Sequence, residues 1–490
     1  MSEKKIAANS KYIQYHYKLT DKIKIVKEFK YITLISENMG QFSIEFNEAS
    51  LEELNNLKEN GKPSSFLLDG QTLSQPSDPS NPEHSPLFIA LFRKGLFSIG
   101  IKVNNKTIIT LEDFKPLRKL ISPINDSTFF YLSPTCWIKP LKDNFILQDA
   151  SQSCQLIFHD IRYLKVVSEL SNVKTIKSLN QALGQDFDLV TPFVIELMLC
   201  ASLIQCSSEF VDQTSETSSY SQYWSFEDLL FHERSRWGPH NRFIGANFPL
   251  EEIIPTPSIT PKINSTKVIP LIRPNNKIIN PSFFDVILQR KSYHEFGSQP
   301  VSLKQLSLLL WFVLHIKSRL KIQSTGEHQT AYEITKRPVP GGGGIHEIEI
   351  YLTVNRCENI ESGLYHYNAA EHCLEMIKCR DESCLQLLSD AACAAKLTKN
   401  PDILITLACR YERLAWKYQG IVYSLILKHV GVIYQQLYLV STALGLAACA
   451  LGVGNSRTFQ NAPIDNSIHQ IGSSVGEFIL GTKPDFENFD

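Results

Sequence analysis

The sequence predicts a chain of several α+β cores, and three observations carry that reading. Its 490 residues exceed what one ordinary core organises, so about two to four domains are expected. From Tyr12 to Gln205 short β-rich runs alternate with short amphipathic helices, the pattern of small α+β modules. Two low-order segments follow, Ser207–Tyr223, rich in Ser and Thr, and Phe248–Pro281, with seven prolines. They set this half apart from a C-terminal region with helices and strands of its own.

The first module pairs the alternating run Phe42–Phe46 with the helical stretch Leu51–Leu57. A second pairs Cys154–Phe158 with helical stretches at Ile161–Leu170, Ile176–Leu183 and Leu189–Ile204. A strand followed by helices of this size reads as a winged-helix-like module. The expected boundaries are 1–124 and 125–206 for the two modules, 207–280 for a connector and 281–490 for the last domain. Little more than Ile44 against Leu156 and Phe46 against Phe158 relates the two copies. A DNA-reading winged helix needs a basic recognition helix, whereas Leu189–Ile204 contains Glu196 and neither Lys nor Arg. Peptide binding by strand addition, or a scaffold role, is left. Between the low-order segments, Phe231-His-Glu-Arg-Ser-Arg-Trp-Gly-Pro-His240 is dense in cations and aromatics, and by itself it reads as an exposed basic turn.

Charge narrows the function. Lys plus Arg number 49 against 50 Asp plus Glu, so no global positive field points to nucleic acid or an anionic membrane. A small or peptidic partner fits better. The eleven cysteines (Cys136, Cys154, Cys200, Cys206, Cys357, Cys373, Cys379, Cys384, Cys393, Cys409 and Cys449) are odd in number and lack the spacing of a zinc knuckle or redox motif. They read as reduced thiols, with no metal site. The N-terminus lacks the apolar core of a secretory signal, which predicts a cytoplasmic protein. The most apolar stretch, Tyr438–Gly454, falls short of the roughly twenty apolar residues of a membrane span and predicts a buried helix.

The C-terminal region carries the candidate chemistry. Ser282 with Asp285 predicts a capped helix start, delivering Arg290-Lys291-Ser292 at its end and His294 just beyond. A second helix, capped by Ser302 and Gln305, runs to about Ile316. A guanidinium, an ammonium and a hydroxyl in succession can hold a phosphate, and they can equally do no more than complement a helix dipole. Pro338-Val-Pro340-Gly341-Gly342-Gly343-Gly344-Ile-His346 then leads into the strand Glu347–Val354. Four glycines lose much conformational entropy on folding, which points to something flat against that backbone, with a floppy hairpin as the alternative. The loop precedes its strand, so it is neither a Rossmann nor a P-loop turn. Ile403–Cys409 reads as a buried strand, and Arg410–Tyr418 leads to a long helix. In that helix Tyr423, Leu427, Val430, Tyr434, Leu437, Tyr438 and Ser441 share a face, and Gly445–Gly454 is expected to finish it.

The order Arg290-Lys-Ser292, the glycine turn with His346 and Glu349, Gly363-Leu-Tyr-His-Tyr367, Lys417-Tyr418 and Gly445 resembles the nitroreductase-like azoline oxidases of ribosomal peptide pathways. Phe231–Gly238 is similar to a segment that precedes the flavin domain in that family. The long N-terminal half resembles that of the cyanobactin thiazoline oxidases, whose winged-helix, leader-recognition-like modules precede the flavin domain. His294 stands where the family pattern usually has Arg, and Gly341 where it has Ser. The resemblance implies an α+β homodimer with FMN at the subunit interface and oxidation of peptide thiazolines, or oxazolines, to aromatic rings, with oxygen as electron acceptor. It implies cofactor contacts from Arg290, Lys291, Ser292, His294, Pro340, Gly341, Gly342, Gly343, Gly452 and Gly454, and an acid–base role for Lys417 and Tyr418. The expected partners are a heterocycle-bearing precursor peptide and a second copy of the chain, without nucleic acid or membrane. Two alternatives are an NAD(P)H-dependent nitro- or quinone reductase and a non-catalytic peptide-binding scaffold.

Overall fold

A computed structural model of the chain describes residues 13–19, 23–27, 31–36, 40–45, 48–60, 62–64, 88, 91, 96–112, 127–210, 223–238, 243–265, 267–275, 281–323, 330–462 and 472–485. Phe46, the Ser/Thr-rich stretch 211–222, residues 239–240 of the basic segment and residues 276–280 lie outside them. The chain divides into two compact units, Met1–Phe243 and Ile244–Asp490.

In the first unit an antiparallel seven-stranded sheet runs in the order 62–64, 13–19, 97–103, 106–112, 155–158, 144–149, 136–141. It joins strands from both expected modules, because Gln155–Phe158 pairs with Lys106–Glu112 in the register Ile157↔Thr110. The expected cut at 124/125 therefore falls inside one continuous sheet. Strands 23–27, 31–36 and 40–45 form a separate meander, followed by the helix Glu48–Glu59, which buries Leu54 and Leu57. In the second half the helices are Leu164–Glu169, Ile176–Leu183 and Thr191–Cys200. The helix expected to reach Ile204 stops earlier. Ser202 adopts φ 55°, and Ile204–Ser207 turns into a strand against Phe129–Leu132. Glu196 faces inward and accepts a 2.6 Å hydrogen bond from the buried Tyr15 Oη, which ties the first strand to the last helix. Burial pushes its pKa up.

The basic segment is a helix in part, Phe226–Arg234, capped by Ser225. Arg234 is buried, and its guanidinium donates to the carbonyls of Asp149 (3.0 Å) and Gln152 (3.2 Å). Arg236 and Trp237 are exposed.

The second unit is a helix-flanked antiparallel sheet in the order 268–270, 373–379, 363–368, 348–354, 403–409, 473–482, 446–451. Its central strands are buried on both sides, and the two-residue period of a strand divides them. Ile403, Ile405 and Leu407 pack with Leu306, Leu309 and Val313 of the helix Leu303–Leu314 and with Val430, Ile433 and Leu437 of the long helix Val422–Ala443. Leu404 and Ala408 face the other way, onto Leu387 and Leu388 of the helix Glu382–Ala394 and onto Phe459. Ser302 and Gln305 form the expected capping box. Ser282 occupies the N-cap of the helix Phe283–Gln289, but its hydroxyl makes no cap bond.

Two expectations are corrected. The apolar stretch into Gly454 is not one helix. The long helix ends at Ala443, Gly445 turns at φ 69°, and Leu446–Leu451 is a strand paired with Ser473–Thr482. On the long helix's shared face Val430, Leu437 and Ser441 are buried, and Tyr423 and Leu427 are exposed. Part of the expected connector also belongs to this second unit, because Val268–Pro270 forms the edge strand of its sheet and Gly245–Ala246 pairs with Tyr418–Gln419. All eleven cysteines are free. Among the described residues no cluster of His, Cys, Asp or Glu suits a metal ion, and no helix is long and apolar enough to cross a membrane.

Candidate functional site

At each glycine of the turn, protein lies where a side chain would begin. A methyl group at Gly343 would lie 2.6 Å from Tyr418 Oη and 2.8 Å from Lys417 Nζ; at Gly341 it would meet the His346 ring at 2.8 Å, and at Gly344 Ile334 at 3.1 Å. Gly343 and Gly344 also sit at φ 58° and 72°, where only glycine is unstrained. His346, the Lys417–Tyr418 pair and Ile334 thus account for the lack of side chains at Gly341, Gly343 and Gly344. In consequence the turn and the Lys-Tyr pair, 74 positions apart in sequence from Gly343 to Lys417, are in contact.

Three further groups fix the turn. Gly342 N–H donates to His429 Nε2 (2.9 Å), and His429 Nδ1 bonds Glu347 Oε1 (2.7 Å). Arg413 Nε donates to the Ile345 carbonyl at 2.8 Å, while its Nη1 reaches the carbonyls of Pro257 and Ser258. Burial, then the neighbouring guanidinium groups of Arg337 and Arg413, push the pKa of His346 down to about 3, so its ring is neutral against Gly341. In the sheet, His366 lies between Glu349 (3.3 Å) and Glu375 (2.8 Å). Burial opposes its charge, but the two carboxylates outweigh burial and raise its pKa.

Lys417 Nζ donates to Tyr332 Oη at 2.9 Å and lies 5.0, 5.6 and 5.8 Å from the ring centres of Tyr332, Tyr418 and Phe248. Three aromatic faces at these distances suit a cation.

The phosphate candidates form a second group. Ser292 Oγ and Tyr438 Oη are 2.9 Å apart, Tyr438 Oη accepts from Ala450 N–H (2.7 Å), and the Arg290 guanidinium lies 5.2 Å from the Tyr438 ring centre. Lys291 is exposed and lies over Tyr293 at 4.9 Å. The guanidinium and hydroxyl that meet at Tyr438, with the ammonium of the intervening Lys291 over Tyr293, form a donor set that fits a phosphate. His294, although exposed, spends Nδ1 on the Ala395 carbonyl at 3.0 Å. Pro340 is exposed at the turn, Gly452 stands in open space, and Gly454 backs onto the buried carboxylate of Glu477.

His429 meets the turn and Tyr438 meets the phosphate candidates. Nine residues of one helix separate them, about 14 Å of rise and half a turn of rotation. The sequence brought neither residue forward as a ligand neighbour, nor Tyr332, Phe248, Glu347 or Arg413. A polar His429 within an apolar helix was the one available signal.

Residues 287–469 match the family model described as the nitroreductase family, and residues 130–241 match that of the cyanobactin oxidase ThcOx. The nitroreductase-like protein MJ1384 of Methanocaldococcus jannaschii is 27% identical over 191 residues, 38% of this chain and 82% of its own. The trifolitoxin-processing protein TfxB of Rhizobium leguminosarum bv. trifolii is 30% identical over 31% of this chain and 41% of its own. The microcin B17-processing protein McbC of Escherichia coli is 30% identical over 23% of this chain and 42% of its own. This chain thus spans less than half of either processing protein. One polypeptide thus carries a segment that matches the cyanobactin oxidase ThcOx model, followed by a domain that matches the nitroreductase family model.

Proposed function

We propose that the chain is an FMN-dependent azoline oxidase that converts thiazolines, and by the same chemistry oxazolines, in a precursor peptide to aromatic azoles. The observation that carries this reading is the contact of Lys417 and Tyr418 with the glycine turn, in a domain preceded by a ThcOx segment. Arg290, Lys291 and Ser292 would hold the FMN phosphate, and Pro340–Gly343, Gly452 and Gly454 would lie beside the rest of the cofactor. FMN, when bound, supplies the hydride acceptor, and oxygen takes the electrons in turn. Aromatisation removes a proton from one ring carbon and a hydride from its neighbour, so the protein must supply a proton acceptor. Lys417 and Tyr418 are the groups assigned to it in this reading. Either Lys417 accepts the proton as a free amine, or Tyr418 does so as a phenolate beside the Lys417 cation.

A homodimer completes the site. Because the turn and the phosphate donors meet opposite sides of one helix, a cofactor touching both sets is most simply reached by two copies. The helix Phe283–Gln289 also turns Phe284 (73% exposed) and Leu288 (83%) outward, an apolar face suited to a second chain. In the first unit, among the described residues, the strand Cys136–Leu141 pairs only with Asn144–Asp149. Its outer edge is open to an extended leader peptide, the role suggested for the winged-helix-like modules.

The test uses the full chain. A bound-flavin visible spectrum and the loss of two hydrogens per ring from an azoline peptide under air are expected, with Lys417→Ala and Tyr418→Phe retaining FMN while turnover falls about tenfold to a hundredfold. Bleaching by NAD(P)H without azoline oxidation would favour a nitro- or quinone reductase. A colourless protein would leave a peptide-binding scaffold.

A further inference from the structure

Lys417 is gripped by a short segment that the sequence gives no reason to notice. Gly245 and Ala246 pair as a strand with Gln419 and Tyr418. The N–H groups of Asn247 and Phe248 both donate to the Lys417 carbonyl, at 3.2 and 3.1 Å, and Asn247 Nδ2 donates to Gln419 Oε1 at 2.7 Å. Backbone, amide and ring contacts thus come from four consecutive residues and converge on three.

Phe248 adds an independent sign. Its φ is 53°, in the left-handed region that a bulky side chain rarely adopts. A conformation of this kind persists only where its surroundings over-determine it, and such residues gather at functional sites. Here the strained backbone delivers the ring to Lys417 Nζ, 5.8 Å from its centre, and packs it on Tyr332 (5.7 Å) and Trp416 (5.4 Å). Tyr332 in turn offers its hydroxyl oxygen to the same ammonium. Outside the Lys417–Tyr418 segment itself, the groups on Nζ are therefore Phe248 from one side, Tyr332 from another and the Gly343 backbone from a third.

We infer that Gly245–Phe248 is a positioning strap which, with Tyr332, fixes the Lys417 cation beside Tyr418. The inference rests on the reading of Lys417 and Tyr418 as the proton-handling pair, and it makes Phe248 and Tyr332 positioning residues. Neither need touch substrate. Their removal should free the lysine amine without touching the phosphate donors.

The experiment follows two readouts on the full chain. The first is the rate at which an amine-selective acylating reagent modifies Lys417, read by peptide mass spectrometry with Lys428 and Lys483 as internal references; it needs no catalysis. The second is kcat and KM on an azoline peptide. Phe248→Leu removes the ring face, and Tyr332→Phe keeps the ring but removes the acceptor. Each should speed Lys417 modification about tenfold, the worth of one desolvated cation–π or charged hydrogen-bond contact. Each should also lower kcat by about tenfold or more with KM and FMN retention little changed. Phe248→Tyr, which keeps a ring, should behave as wild type. Unchanged modification and unchanged kcat in both variants overturn the strap, and Tyr332→Phe alone decides the matter if Phe248→Leu does not fold. Faster Lys417 modification in a protein that oxidises no azoline supports the strap while removing the proposed reaction.

Discussion

Glu347 holds His429 by Nδ1 at 2.7 Å and thereby turns the other ring nitrogen onto the N–H of Gly342. The carboxylate is fully buried, and the imidazole joins its Oε1 to the turn. His429→Ala would leave a buried carboxylate and a backbone N–H both without that partner. It should cost roughly 2–4 kcal/mol of stability, measured by denaturant unfolding, with His429→Gln losing less. A loss below about 1 kcal/mol would show that the turn is fixed by Arg413 alone.

Neighbouring glycines should differ sharply. At Gly343 an alanine meets Tyr418 and Lys417 in a left-handed backbone, whereas at Gly342 the nearest atom to a Cβ is 3.4 Å away. Gly343→Ala should lower azoline turnover at least about tenfold by displacing the pair, and Gly342→Ala by much less. Equal effects would place the need for glycine in flexibility instead of contact.

Arg290→Ala should weaken FMN binding by about 1.5–3 kcal/mol, the range for a charge-assisted contact. Tyr438→Phe, which deletes only the hydroxyl that meets Ser292 Oγ and the Ala450 N–H, should weaken it less. Fluorescence titration of the apoprotein with FMN measures both. Unaltered affinity in Arg290→Ala would move the phosphate elsewhere.

Glu477 gives stability a pH dependence. Burial, with help from Asp390, raises its pKa from the ordinary 4.5 to about 7. The folded state therefore holds this proton more tightly than the unfolded chain. Its stabilising effect is complete below about pH 4.5 and lost as pH rises through about 7, amounting to roughly 3 kcal/mol. Glu477→Gln should raise the Tm relative to wild type above pH 7 and give little gain near pH 4.5. A pH-independent difference would assign the effect to packing against Gly454.

Phe284→Glu combined with Leu288→Glu places charge on the outward face of the helix Phe283–Gln289. Light scattering should then report a monomer in place of a dimer, together with loss of bound FMN. A flavin-loaded monomer would show that one copy suffices.

Much of the second unit was legible because its signals are local. The strand Ile403–Cys409 is a continuous apolar run with both faces buried, and Ser302 with Gln305 is a cap that needs no tertiary partner. The stretch after Ala443 was misread because small apolar residues suit a buried helix and a buried strand alike. Pairing with Ser473–Thr482, which no local pattern announces, decides between them. At the site, Lys417, Tyr418 and the glycines stood out by residue type. What joins them did not, since Phe248, Tyr332 and His429 come from three separate stretches and acquire meaning only through long-range contacts.

The sheet of the first unit sets the natural grain of the polypeptide. Since strand 106–112 is zipped to strand 155–158, a cut near residue 124 would bare two edges at once and invite self-association. A cut near residue 206 would strand the helix Phe226–Arg234, whose Arg234 caps the carbonyl of Asp149 in that sheet. Modular exchange, by recombination or by engineering, should therefore move everything up to Phe243 as one cassette, and chimaeras joined at the 243/244 seam should express and fold where finer grafts aggregate.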